Sequence, residues 1–192
     1  MYVGVTELQP IAGLLADFAA ASRGVRDEVM ALPGYVTAER FARRGECGGM
    51  LVITGWENAR AFARYRDHLV TTHAEMNLRL LARGRLRAGR LSMLGEAPAH
   101  AEEDAPVTLG CLVLSFGPTA RLRLPGGAAA AASRDPACGV LYDSMYEPGK
   151  SLHLCVVGSC EDGAAAGDLR RGGATEVKAL VVESDEVFVD AQ

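Results

Sequence analysis

Trp56 and His73 are the residues of this chain best suited to binding and proton transfer. Trp56 is the only tryptophan. Its ring can wall a pocket, and its indole N–H can donate a hydrogen bond. His73 has an ordinary pKa of ~6.5, which suits a base or a donor working near neutrality. Tyr65 can hydrogen-bond a substrate oxygen, while Phe62 and Met76 can line the pocket. His68, beside Arg64 and Glu75, is a further candidate for substrate contact, although those neighbours suggest a surface. Arg40 is another. It shares a strand face with Val36 and Ala38, Glu39 shares the opposite face with Thr37 and Phe41, and either face can turn to a cavity. Plainer readings stand beside these. Trp56 also reads as core or hinge packing, His73 and His68 as satisfied or solvated imidazoles, and Tyr65, Phe62 and Met76 as core. His153, between Leu152 and Leu154, reads as an inward polar residue or as a solvent-face residue, the second being favoured.

Residues 33–58 must position most of these groups. Pro33-Gly34 has turn composition. Tyr35 to Phe41 is rich in strand formers, a polar loop follows, and Met50 to Trp56 reads as a second strand. A loop this short joins antiparallel strands. Glu57-Asn58 starts a helix, so Trp56 stands where a strand hands over to a helix. Upstream, Tyr2 to Leu8 reads as a strand and Pro10 opens a helix. From Ile11 the apolar positions are Ile11, Leu14, Leu15, Phe18, Ser22 (small), Val25, Val29 and Leu32, in steps of three and four, so one stripe is expected to face a core. Downstream, Phe62, Tyr65, Leu69, Thr72, Met76 and Leu80 share one face of a second helix. Arg85 to Leu94 reads as a fourth strand.

Residues 96–106 are a linker of prolines, small residues and an acidic run. Residues 107–192 repeat the plan of 1–95 in worn form. Val107 to Leu114, Gly139 to Tyr146, Ser151 to Gly158 and Val177 to Val189 read as strands, the last with a bend at Ser184-Asp185-Glu186. The intervening helices are poor. One contains Pro125-Gly126-Gly127, and the other spreads glycines through 161–173, each costing ~1 kcal/mol of helix stability.

Composition narrows the function classes. A net charge of -4 gives no basic excess for neutralising phosphates, which argues against nucleic acid. No apolar run approaches the ~20 residues of a membrane span. The start of the chain lacks the basic and apolar regions of a secretory leader, so a cytoplasmic location is expected. The clustered Arg79, Arg83, Arg85, Arg87 and Arg90 read as a solvated face or edge rather than an anion site. Five cysteines without a C-x-x-C pair are expected to be reduced, buried thiols. No histidine has metal-ligand spacing to them, and no Gly-rich phosphate loop is present.

The order β-α-β-β-α-β is the ferredoxin-like plan. With Leu32-Pro33-Gly34-Tyr35, the run Leu51-Val52-Ile53-Thr54-Gly55-Trp56-Glu57 and a helix reaching His73, the chain resembles the antibiotic biosynthesis monooxygenase family over about its first half. The resemblance implies an α+β fold in which two tandem ferredoxin-like halves form a barrel, with further dimerisation left open. In the second half Cys160 stands at the place of Trp56, so the working pocket is expected in the first. The resemblance also implies an oxygenase acting on an aromatic polyketide, of the anthrone, naphthol or hydroquinone type, in natural-product biosynthesis. O₂ and the small substrate are its partners. No cofactor is tightly bound; diffusible reduced flavin (FADH2 or FMNH2) is the co-substrate in one branch of the family.

Two alternatives are a non-catalytic small-molecule-binding barrel and a haem-binding barrel. Haem-degrading relatives use an Asn on the first strand, where this chain has Val3, Gly4, Val5, Thr6 and Glu7, with a Trp and a His on the second helix, where it offers Tyr65 rather than Trp. Added haem is therefore expected to keep its free Soret band, and a shifted band on titration would reinstate the haem reading.

Overall fold

The structure is a computed structural model that describes residues 1–45, 49–71, 80–92, 109–119, 140–157 and 169–188. Its elements are β1 (Tyr2–Pro10), α1 (Leu15–Met30), β2 (Tyr35–Arg43), β3 (Met50–Trp56), α2 (Ala59–Thr71), β4 (Ala82–Ser92), β5 (Gly110–Pro118), β6 (Val140–Ser144), β7 (Lys150–Val157) and β8 (Glu176–Phe188). The strands close into an antiparallel barrel in the order β1-β3-β2-β6-β7-β5-β8-β4. The fold is thus α+β, with eight barrel strands.

Strand alternation sorts the chain into an inside and an outside. Val3, Val5, Phe41, Leu51, Leu112 and Leu180 point inward and fill the middle of the barrel. A barrel of about eight strands leaves an interior just wide enough for side chains to fill. Tyr2, Leu8, Met50, Trp56, Leu86 and Ala88 point outward into a second core shared with α1 and α2. Because β3 is covered on both faces, it reads as an almost unbroken apolar run.

The predicted stripe on α1 is buried at Phe18, Ser22, Val25 and Val29, while Leu15, also read onto it, is exposed. Its start differs from expectation. Pro10 ends β1 and pairs with Ala82, Gly13 turns the chain at φ +88°, and the helix begins at Leu15. Proline at a strand end loses no ladder bond that the chain needs. Gly34 takes φ +84° in the turn after α1, and a side chain there would run into Ala61. Asn58 caps α2, its Oδ1 accepting from the Ala61 N–H at 2.9 Å.

Two seams join the first four strands to the last four. β4 pairs with β8 from Gly84↔Phe188 to Ser92↔Ala179. Its register shifts at Ala88/Gly89, so β8 continues through Ser184-Asp185-Glu186 with a bulge at Glu183 where a bend was expected. A Cβ on Gly89 would strike the Val181 carbonyl, which makes glycine the residue this bulge admits. The other seam is short: Phe41, Ala42 and Arg43 of β2 against Ser144, Asp143 and Tyr142 of β6. Arg44 extends it, donating from Nε to Asp143 at 3.1 Å and from Nη2 to Ser151 Oγ at 3.0 Å.

Two expectations are corrected on the outer face of β5 and β7. Cys111 and Cys155 are both disulfide-bonded rather than reduced; strand register brings them to one face, which residue spacing alone does not reveal. His153 is 0% exposed, not on a solvent face. It lies opposite Ser115, and among the described residues neither its two ring nitrogens nor Ser115 Oγ has a hydrogen-bond partner. Burial pushes the imidazole pKa down to about 4. Between ~6.5 and about 4 the unfolded chain binds a proton at His153 that the folded chain refuses. Stability should therefore fall with pH across that window, by up to about 3 kcal/mol from this group. His153→Leu should flatten this acid limb in thermal unfolding between pH 7 and pH 4.5 and raise stability at neutrality; an unchanged pH profile would show that the buried imidazole does not control it.

Candidate functional site

Trp56 closes β3 at the point where the chain turns into α2. Its position is outward, because it follows Met50, Val52 and Thr54 at a period of two. That aims it at the helix layer, where Phe62 and Tyr65, three apart on α2, face the sheet. The result is an aromatic layer. Tyr65 stacks on Trp56 with centroids 4.6 Å apart and planes at 25°. Tyr35 meets the same indole edge-on at 5.8 Å. Phe62 meets it edge-on at 6.4 Å and lies 5.2 Å from Tyr2.

The indole is 0% exposed, and its N–H donates to Thr54 Oγ1 at 3.1 Å. The Thr54 hydroxyl in turn donates to the Gly4 carbonyl at 3.4 Å. A polar thread therefore runs from Trp56 through β3 to β1 beneath the rings. Gly4 must be small here, since a Cβ would come within 2.7 Å of Phe62. Burial, and then the Glu183 carboxylate, push the Tyr2 hydroxyl up to about 12, so it stays protonated.

Arg40 is turned to the helix layer rather than the barrel interior. Its Nη2 donates to the Ser22 carbonyl on α1 at 3.0 Å, and burial lowers its pKa. It ties α1 to β2. Glu39, on the opposite face, accepts from Lys150 Nζ at 2.7 Å. Trp56, Phe62 and Tyr65 are thus brought together, and Arg40 stands apart from them. His73 and Met76 lie outside the described residues, as does the side chain of His68. Among the described residues no group of three or more His, Cys, Asp or Glu could hold a metal ion.

A different set of groups converges on the barrel end beside the β2–β3 loop, and the reading of the arginine cluster as a solvated face missed it. Arg83, Arg85 and Arg87 alternate along β4, opposite Gln9, Glu7 and Val5 of β1, so all of them share the inward face. Arg87 is 3% exposed. Its Nη1 donates to Glu7 Oε1 at 2.8 Å, and its Nε lies 3.8 Å from Asp185 Oδ2. The Tyr142 hydroxyl donates to Glu7 Oε2 at 3.4 Å. Arg85 grips Asp185 through two bonds of 2.8 and 2.6 Å, which holds that carboxyl below the usual carboxylate range. These groups, with Arg43, Leu8 and Met50, line a cavity of about 250 Å³. The signal in the sequence was the period-two spacing of arginines within a strand.

No family model and no curated protein matches the chain. Among solved structures it is similar to SnoaB, a cofactor-independent oxygenase from Streptomyces nogalater, at 16% identity over 54% of this chain and 97% of that one, with a TM-score of 0.39. It is similar to an antibiotic biosynthesis monooxygenase at 12% identity, covering 47% and 97% of the two chains, with a TM-score of 0.40. An anthrone oxidase-like protein matches at 12% identity over 100% of this chain and 96% of that one, with a TM-score of 0.40. The family that the sequence resembles is thus named among the structures similar to this chain.

Thr54 is the acceptor on which the buried indole depends. Thr54→Val keeps the shape and strands the N–H, which should cost about 1–3 kcal/mol in denaturant unfolding. A loss below ~0.5 kcal/mol would show that Trp56 finds another acceptor.

Proposed function

We propose that the chain is an oxygenase that uses O₂ on an aromatic polyketide of the anthrone, naphthol or hydroquinone type. The observation that supports it is the aromatic layer: rings from β1, β2, β3 and α2 gather around Trp56, and Tyr65 stacks on it in parallel. Aromatic rings stack on a flat ring system in offset fashion; because Trp56 is itself 0% exposed, in this reading substrate meets the border of the layer. In this reading the chain is built of tandem ferredoxin-like halves, 1–95 and 107–192 about a linker at 96–106, and the first half works. Trp56 and Tyr65, both buried, back the site from beneath, Phe62 and Met76 are assigned to its wall, and His68 to substrate contact at its edge. Arg40 acts through its hold on α1.

His73 is the base. An anthrone or phenol that loses a proton becomes electron-rich enough to pass an electron to O₂. The carbon–oxygen bond then forms. For an anthrone, the ring methylene becomes a ketone, one oxygen atom stays in the product, and the other leaves as water with the two methylene hydrogens. The balance closes with substrate and O₂ alone. Where the substrate is less acidic, diffusible reduced flavin supplies the electrons.

A second reading, a small-molecule-binding barrel without catalysis, is favoured by one observation: the Trp56 N–H is already engaged by Thr54. Oxygen uptake with a model anthrone or hydroquinone, with and without reduced flavin, separates the two. Uptake above the buffer rate is expected, and its absence under both conditions would select the binding barrel. His73→Ala should lower turnover by about 100-fold or more, the usual scale of a lost general base. Trp56→Phe should lower it several-fold while the protein stays folded. Unchanged rates in both variants would remove these residues from the site.

A further inference from the structure

Ser115 and His153 have needs that nothing among the described residues meets. They stand directly opposite each other across the β5–β7 ladder, and both are 0% exposed. Ser115 Oγ and both imidazole nitrogens lack a hydrogen-bond partner among those residues, so the two side chains do not bond each other. Buried polar groups of folded proteins are hydrogen-bonded with few exceptions, because an unmet one loses its water and gains nothing in return. The pair lies on strands that carry no part of the aromatic layer around Trp56, so its role is separate from the oxygenase reading.

The described neighbours on this face have nothing to give. The next pair along the ladder is Val113 and Cys155, and Cys155 is disulfide-bonded. Leu141 of β6 lies beside His153, and Val177 of β8 beside Ser115. Ser151, two residues before His153 on β7, is already committed. Its hydroxyl donates to Asp143, accepts from Arg44 Nη2 at 3.0 Å and shares a bond of 2.8 Å with Thr119. Ser115 and His153 are thus a polar island in an apolar frame. Burial holds the imidazole pKa down to about 4, which leaves a neutral ring at pH 7 with one N–H and one bare nitrogen. The serine adds a donor and two lone pairs. An ion brought to this place would be buried among apolar side chains without a countercharge. A neutral hydroxyl both donates and accepts, and it has no charge to bury.

We propose that Ser115 and His153 form a binding site for a neutral hydroxyl, supplied by an enclosed water molecule or by a small alcohol or phenol, which bridges Ser115 Oγ and one ring nitrogen. Directly opposed residues hold their Cβ atoms about 4.5–5.5 Å apart, so one oxygen at ~2.7–3.2 Å can reach both side chains. That oxygen accepts from the serine and donates to the bare nitrogen, or accepts from the ring N–H and donates to the serine. The second ring nitrogen asks for the same chemistry. Val113, Leu141 and Val177 suit a hydrocarbon body behind the hydroxyl and give nothing to an ion.

Two measurements on the whole chain test this. Ser115→Ala should lower the melting temperature by about 2–4 °C, the scale of one lost hydrogen bond in a chain of this size. In the His153→Leu background the same truncation should lower it by less, because the bridge is already gone. A pair without a guest behaves oppositely. Truncation then removes a buried cost, the melting temperature rises or stays in both backgrounds, and that result overturns the proposal. The second measurement is long-range ¹H–¹⁵N NMR at neutral pH, with the His153 signals identified by their loss in His153→Leu. The ring protons should show a cross-peak to long-lived water or a saturable shift on titration with phenol. The first result assigns the hydroxyl to an enclosed water, and the second to an organic guest. Neither cross-peak nor shift would sink the idea. Benzoate, which has the same ring and a charge, should leave the His153 signals in place; a shift equal to that from phenol would rule out a site selective for a neutral group. If Ser115→Ala does not fold, the spectra of the parent decide alone. Oxygen uptake with an anthrone is independent of every one of these outcomes.

Discussion

The β4–β8 and β2–β6 seams are what turn two four-stranded arrays into one closed wall. The first runs from Gly84↔Phe188 to Ser92↔Ala179, and the second spans only Phe41 to Arg43. Closure leaves no exposed strand edge, and it also fixes which half of each strand's side chains must share a narrow interior. Every inward residue is then judged by its fit to that interior, and every outward one by what covers it. Gly89 shows how strict the fit is. The seam bulges there, and the Val181 carbonyl occupies the place where any side chain would begin.

Two chemically distinct environments follow from that division. Outside the first four strands, α1 and α2 cover an aromatic layer centred on Trp56, with polar needs met by a thread through Thr54 to Gly4. Inside, the apolar middle gives way at one end to Arg87, Glu7 and Tyr142. The same strand, β3, sends Trp56 to the first environment and Leu51 to the second. Arg40 and Glu39 part in the same way, one to α1 and the other to Lys150.

Much of this was legible in the residues. The bounds of β3 fall at Met50 and Trp56 as read, because an apolar run between a glycine-rich loop and a polar Glu-Asn pair has few alternatives. The stripe of α1 was equally clear, since steps of three and four leave one face to bury. Phe62 and Tyr65 were legible as one helix face, but their meeting with Trp56 emerged only in the fold. What stayed hidden depended on register between distant strands. Arg87 and Glu7 are far apart in sequence and meet only because β4 pairs with β1. Cys111 and Cys155 share a face only through the β5–β7 register. His153 was misread because alternation tells that it faces away from Leu152 and Leu154, but not whether that face is covered. Helix periodicity announced the cover over β1 to β4, and nothing comparable announced it over β5 to β8.

The filled middle of the barrel has a consequence for traffic. Phe41, Leu51, Leu112 and Leu152 are all 0% exposed, so the strands enclose a plug rather than a tube. At the far end from Arg87 a separate hollow lies among Phe116, Lys150 and Thr175. The two hollows are lined by different residues, so a substitution in one lining leaves the other intact as long as the buried side chains between them keep their volume.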